Sequence, residues 1–197
     1  MCFSAKASFT AAAVLVVMGA LLMRRPYDRR LVFLTLIPFF FAIQQAAEGF
    51  LWLKVTPDVS KWVFLSFAFV VWPIWIPFSF WYAEETPFRK QAMAFCLGIG
   101  LVVGFLLAMA IPHVQIYATQ HIQYIYSYTG LGVFYMIATL LPFFLSSLSK
   151  AWALGFLFLL SALIVLWVER TFFISIWCFF SALISLGLFF IKKGETS

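Results

Sequence analysis

Asparagine does not occur in this sequence, so it offers no acceptor for N-linked glycosylation. Charge is scarce too. Asp, Glu, Lys and Arg make up 10% of the 197 residues, against roughly 25% in a soluble domain. The three cysteines, Cys2, Cys96 and Cys178, are odd in number and form no CxxC pair, which excludes an internal disulfide framework. The two histidines, His113 and His121, are not spaced as paired ligands and suit wet boundaries. No Walker loop, GxGxxG, HExxH or GxSxG is present, so soluble-enzyme chemistry has no foothold.

Hydrophobic residues make up 65% of the chain. A core of this length cannot hold them all, so lipid must cover the excess. No stretch is polar enough for a second, soluble domain, and residues 1–197 read as one all-α integral membrane domain, a seven-transmembrane-helix bundle. The apolar runs extend from Ser4 to Met23, Leu31 to Leu53, Lys61 to Tyr82, Gln91 to Ile111, about Gln120 to Leu145, Ala151 to Val168 and Thr171 to Ile191. The first could pass for a signal peptide, but no small-residue cleavage site follows it. Arg24, Arg25, Arg29 and Arg30 come instead, so an uncleaved first helix is expected.

The net charge of +6 does not point to nucleic acid, because the basic residues sit in short clusters between apolar runs. With the N-terminus outside, Arg24, Arg25, Arg29, Arg30, Arg89, Lys90, Lys150, Lys192 and Lys193 are cytoplasmic, and Lys6, Lys54, Lys61 and Arg170 are outside. Nine against four favours N-out and C-in. The longest connection, Pro112 to about Thr119, then lies outside, and its continuation, rich in Tyr, enters the membrane near His121.

Gly100 and Gly104 are spaced to let another helix approach closely, as are Ser4, Ser8 and Ala12, and Ser181 and Ser185. In Trp72-Pro73-Ile74-Trp75-Ile76-Pro77, each proline removes a backbone hydrogen bond, so the third helix should bend or open. The freed carbonyls must find partners inside the protein. Either a packing kink or a cavity wall would result.

The strongest chemical signal is Gln44-Gln45-Ala46-Ala47-Glu48, which puts three polar side chains on one face of the second helix. A carboxylate at membrane depth costs roughly 2.5–3.5 kcal/mol even on the lenient insertion scale, so it should be paired or face water. Interhelical hydrogen-bond glue and a functional site both fit. Cys2, Ser4, His121, Glu169 and Cys178 are expected at the same outer level. Ser175, Cys178, Ser181 and Ser185 form a polar stripe on the seventh helix. A shared outward-facing pocket is therefore expected, lined by Cys2 or Ser4, Gln44, Gln45, Glu48, His121 and Cys178, with helices one, two, five and seven converging. Cys2, Glu48 and His121 have the chemistry of transition-metal ligands. An N-terminal Cys2, exposed by loss of Met1, could also chelate or react. Glu84 and Glu85, followed by Arg89 and Lys90, read as a solvated loop.

The opening Met1-Cys2-Phe3-Ser4-Ala5-x-Ala7-Ser8-Phe9 resembles a family of small, uncharacterised bacterial membrane proteins that begin this way. Gln44-Gln45-x-x-Glu48-Gly49 with Leu51-Trp52, Trp72-Pro73 with Pro77, and the stretch Ser175 to Ala182 are similar to that family as well. The resemblance implies a bacterial inner-membrane protein and supplies no activity. Three functions fit these residues. One is binding or transport of a small ligand or ion at the polar pocket. The second is an intramembrane metal-dependent hydrolase, which resembles seven-helix ceramidase-type enzymes in helix count and N-out topology but lacks their histidine cluster. The third is an accessory subunit of a membrane complex, with a partner chain or a second copy covering the many Phe residues.

Overall fold

The structure, a computed structural model, describes residues 4–24, 28–118, 122–125, 130–168 and 170–190. Their helices are α1 (Ala5–Arg24), α2 (Arg29–Trp52), α3 (Pro57–Ala83), α4 (Pro87–His113), α5 (Leu131–Leu145), α6 (Ala151–Val168) and α7 (Phe173–Phe190). All except α5 are long and apolar enough to cross a membrane. Between α4 and α5 lies a two-stranded antiparallel hairpin, β1 (Gln115–Ala118) and β2 (Ile122–Ile125), with Gln115 opposite Ile125 and Ala118 opposite Ile122.

The hairpin corrects the sequence reading. The fifth helix was expected from about Gln120 and begins at Leu131. The alternation of apolar and polar residues in Ile122-Gln123-Tyr124-Ile125 is a strand period. Burial of Ile122 and Tyr124 under the hairpin follows from that period. Phe64 of α3 stacks on Tyr124, with centroids 4.9 Å apart and planes 3° from parallel. Lys61 Nζ donates to the Val114 carbonyl at 3.3 Å, which ties the hairpin's approach to the start of α3.

Side-chain size sets how closely the helices approach. A methyl group on Gly49 would lie 2.8 Å from Phe9 Cζ, and one on Gly19 would lie 2.9 Å from Phe39 Cε2. α1 therefore lies antiparallel against α2, with Phe9 over Gly49 and Phe39 over Gly19. The expected close approach at Gly100 and Gly104 is present. Gly100 abuts the Pro73 carbonyl and Gly104 meets Ile74, so α4 packs on the proline region of α3.

The two prolines of α3 have local consequences. Pro73 has no N–H to offer an α-helical bond, and a π-helical turn over Ser66–Val71 precedes it. Within that turn the Ala68 carbonyl accepts from Tyr135 Oη of α5 at 2.6 Å. Pro77 leaves the Pro73 carbonyl without its donor, and that oxygen faces Gly100. One core cluster, which includes Leu15, Phe41, Trp72, Phe80, Phe143 and Phe158, fills the bundle. A second, around Phe64, Phe69, Leu107, Ile122 and Tyr124, joins the hairpin to α3 and α4. Outside, Phe95, Phe105, Trp152 and Trp167 are exposed.

Glu84 also departs from expectation. It is 2% exposed rather than solvated. Its Oε1 accepts from the backbone N–H groups of Glu85 and Thr86 and from Ser147 Oγ, and its Oε2 accepts from the Ser147 N–H at 2.8 Å. The end of α3 is thereby clamped to the loop between α5 and α6. Glu85 reaches Arg30 as an ion pair.

Candidate functional site

α2 and α7 meet through two polar rungs. Gln44 Nε2 donates to Cys178 Sγ at 3.4 Å, and Ser175 Oγ donates to Glu48 Oε1. Gln44 and Glu48 are four residues apart and Ser175 and Cys178 three, so each pair occupies one face of its helix. The pairing of 44 with 178 and 48 with 175 requires the two helices to run antiparallel. Gln44 extends the chain of contacts to α3, because its Oε1 accepts from Trp72 Nε1 at 2.8 Å. Trp72 is held by stacking on Phe41, with centroids 3.9 Å apart.

Gln44 and Gln45 are fully buried and Glu48 is 2% exposed. Among the described residues no Lys or Arg pairs with the Glu48 carboxyl; its neighbours are Ser175 and the Gln45 amide beside it. Tyr124 reaches the same place from the hairpin, close enough for Glu48 and Cys178 to act on it electrostatically. Among the described residues, Tyr124 Oη and Ser8 Oγ of α1 have no hydrogen-bond partner, and the two amide atoms of Gln45 have none of good geometry, although the amide lies beside the Glu48 carboxyl. Packing of Phe9 on Gly49 puts Ser8 near the level of Glu48. Buried polar groups are rarely unsatisfied, and such groups point to an ordered water, an ion or a ligand.

Two apolar cavities adjoin the cluster. One, of about 40 Å³, has Phe41, Trp72, Thr139 and Ser181 in its wall. The other, of about 80 Å³, lies among Phe69, Leu107, Met136 and Ile174. Tyr135, Trp177 and Cys178 line both. Glu48 and Gln45 line neither.

The model of the family of unknown function DUF6629 matches residues 1–196. The chain belongs to this family. No curated protein and no solved structure matches it. Membership in DUF6629 agrees with the resemblance to an uncharacterised family and brings no activity with it, so the chemistry rests on the residues.

Of the residues expected to share a site, Gln44, Gln45, Glu48 and Cys178 come together. Ser4 does not join them. It is exposed, and its Oγ accepts from the Ala7 N–H at 3.3 Å in the first turn of α1. Cys2, His121 and Glu169 lie outside the described residues. Among those described, no three His, Cys, Asp or Glu side chains are grouped to hold a metal. The converging elements are α1, α2, α3, α7 and the hairpin, where α5 was expected. Ser175 and Trp72 were noted in the sequence for a stripe and a kink rather than for this site. The match between the 44/48 and 175/178 spacings could have paired α2 with α7. Tyr124 was hidden because its segment was taken for helix.

Proposed function

We propose that this chain is a seven-helix protein of a bacterial inner membrane, N-terminus outside and C-terminus cytoplasmic, that binds a small ligand or ion around Glu48. Six helices of spanning length and apolarity support the membrane setting. Trp152 and Trp167, both exposed near opposite ends of α6, suit the two interfacial belts. α5, with 15 residues, covers roughly 22 Å and is too short to cross alone. The hairpin beside it makes up the deficit. Non-helical backbone at membrane depth is tolerated where it is buried in protein or lines a cavity, and here it covers the polar cluster.

One observation carries the binding reading: a buried carboxylate that, among the described residues, has no basic partner and lies next to polar atoms without hydrogen bonds. Pure structural glue would satisfy its own members. The hydrolase and accessory-subunit readings gain no specific support from the described residues.

The test is native mass spectrometry and elemental analysis of protein purified in mild detergent, wild type against Glu48→Gln and Glu48→Leu. A species bound to the wild type and lost from a folded Glu48→Gln variant is the expected result. If the wild type carries nothing, Gln retains full stability and Leu loses about 1–2 kcal/mol, the cluster is glue and the proposal falls.

A further inference from the structure

The donor atoms around Glu48 narrow what the site can hold, given the binding reading above. Glu48 contributes carboxylate oxygens and Ser175 a hydroxyl. Gln45 Oε1 and Tyr124 Oη are buried and, among the described residues, have no hydrogen-bond partner. All are hard oxygen donors, the kind that alkali and alkaline-earth cations prefer. The soft atom described at this place, Cys178 Sγ, is already engaged by the Gln44 amide. Neither adjoining cavity is lined by Glu48 or Gln45, so the occupant proposed is the smallest kind, a single bare ion.

Charge decides between valences. With one carboxylate and no Lys or Arg paired with it among the described residues, a monovalent cation makes the site neutral. A divalent ion would leave a net positive charge in an apolar bundle, at a cost of several kcal/mol. We propose that oxygens of Glu48, Ser175, Gln45 and Tyr124 form a site for one monovalent alkali cation between α2, α7 and the β2 strand. The Ser175 hydroxyl keeps donating its proton to Glu48 while its lone pairs face the ion. Tyr124 closes the site from the hairpin, so the ion also fastens β2 to the helices.

Thermal unfolding of the full chain in detergent tests this, in lithium, sodium or potassium chloride against choline chloride at equal ionic strength. One alkali chloride should raise Tm saturably, on the order of 5 °C at concentrations well above Kd. Glu48→Gln should abolish the rise. Ser175→Ala and Tyr124→Phe should each shift its midpoint roughly fivefold or more to higher salt. Tyr124→Phe keeps the stack on Phe64, so it remains informative if Glu48→Gln folds poorly. Equal Tm in alkali and choline salts overturns the cation proposal and leaves water or a protonated carboxyl in the site. An alkali effect undiminished in both Glu48→Gln and Tyr124→Phe overturns it too. If a different species is lost from Glu48→Gln in the mass spectra while all salts act alike, the ion assignment fails and the binding reading stands. If neither assay detects binding, both fail.

Discussion

Replacing Gly100 by alanine would drive a methyl group into the Pro73 carbonyl oxygen, with the carbonyl carbon 2.7 Å away. That oxygen has no helical donor, because Pro77 lacks an N–H, and the Cα hydrogens of Gly100 are what it faces. The obstacle is backbone, fixed by two prolines and a π-helical turn, so it cannot swing aside as a side-chain tip would. α4 would have to withdraw from α3. Gly104, where an added methyl would sit 3.3 Å from Ile74 Cδ1, would be carried with it. Overpacking of a rigid core costs about 1–3 kcal/mol, and the upper half of that range is expected here. For a chain of this size that lowers Tm by roughly 5–10 °C. Gly98 is an internal control two residues away. A methyl there meets nothing within 4 Å, and helix propensity favours alanine by roughly 0.5–1 kcal/mol. Thermal unfolding of Gly98→Ala and Gly100→Ala at one scan rate should give a neutral or raised Tm for the first and a clear drop for the second. Equal values would refute the close packing of α4 on Pro73.

Glu84 and the orientation of the chain give two more expectations. Burial alone would push the Glu84 carboxyl up, but the N–H and hydroxyl donors of Ser147 and Thr86 outweigh it and hold it below the usual glutamate value. A carboxyl lowered by folding stabilises the fold above its unfolded pKa, and that stability is lost as pH falls through the folded value. Wild-type Tm should therefore decline on acidification below the ordinary carboxylate range while Glu84→Gln responds less; identical acid profiles would contradict the clamp. For orientation, a reporter fused after Ser197 should be active only in the cytoplasm, and periplasmic activity would overturn the N-out, C-in arrangement.

Much of the helical pattern was legible because an apolar run has few alternatives. The expected spans of the first four helices and the last two differ from the observed ones by a few residues at most ends. The fifth failed for a physical reason. A run of Tyr, Ile and Gln is apolar enough to continue a membrane helix, and the strand period of Ile122–Ile125 is too short to outweigh it without the tertiary contacts of Phe64 under Tyr124 and Lys61 on Val114. In the site, the Gln44, Gln45 and Glu48 face could be read from spacing alone. Its partners could not, since hydrogen bonds between α2 and α7 join residues more than 120 positions apart. Glu84 was misread because two of its four donors, the N–H and hydroxyl of Ser147, come from a loop whose proximity no local pattern encodes.

The two buried glutamates differ in how their oxygens are met. Glu84 has both oxygens met by donors, three of them backbone N–H groups, so its charge is neutralised by fixed dipoles and nothing more is needed. Glu48 is 2% exposed as well and accepts from one hydroxyl, while among the described residues the Tyr124 phenol has no partner and the Gln45 amide none of good geometry. The binding proposal rests on this contrast between a carboxylate fully met by donors at Glu84 and a sparsely met one at Glu48, beneath the hairpin that carries Tyr124.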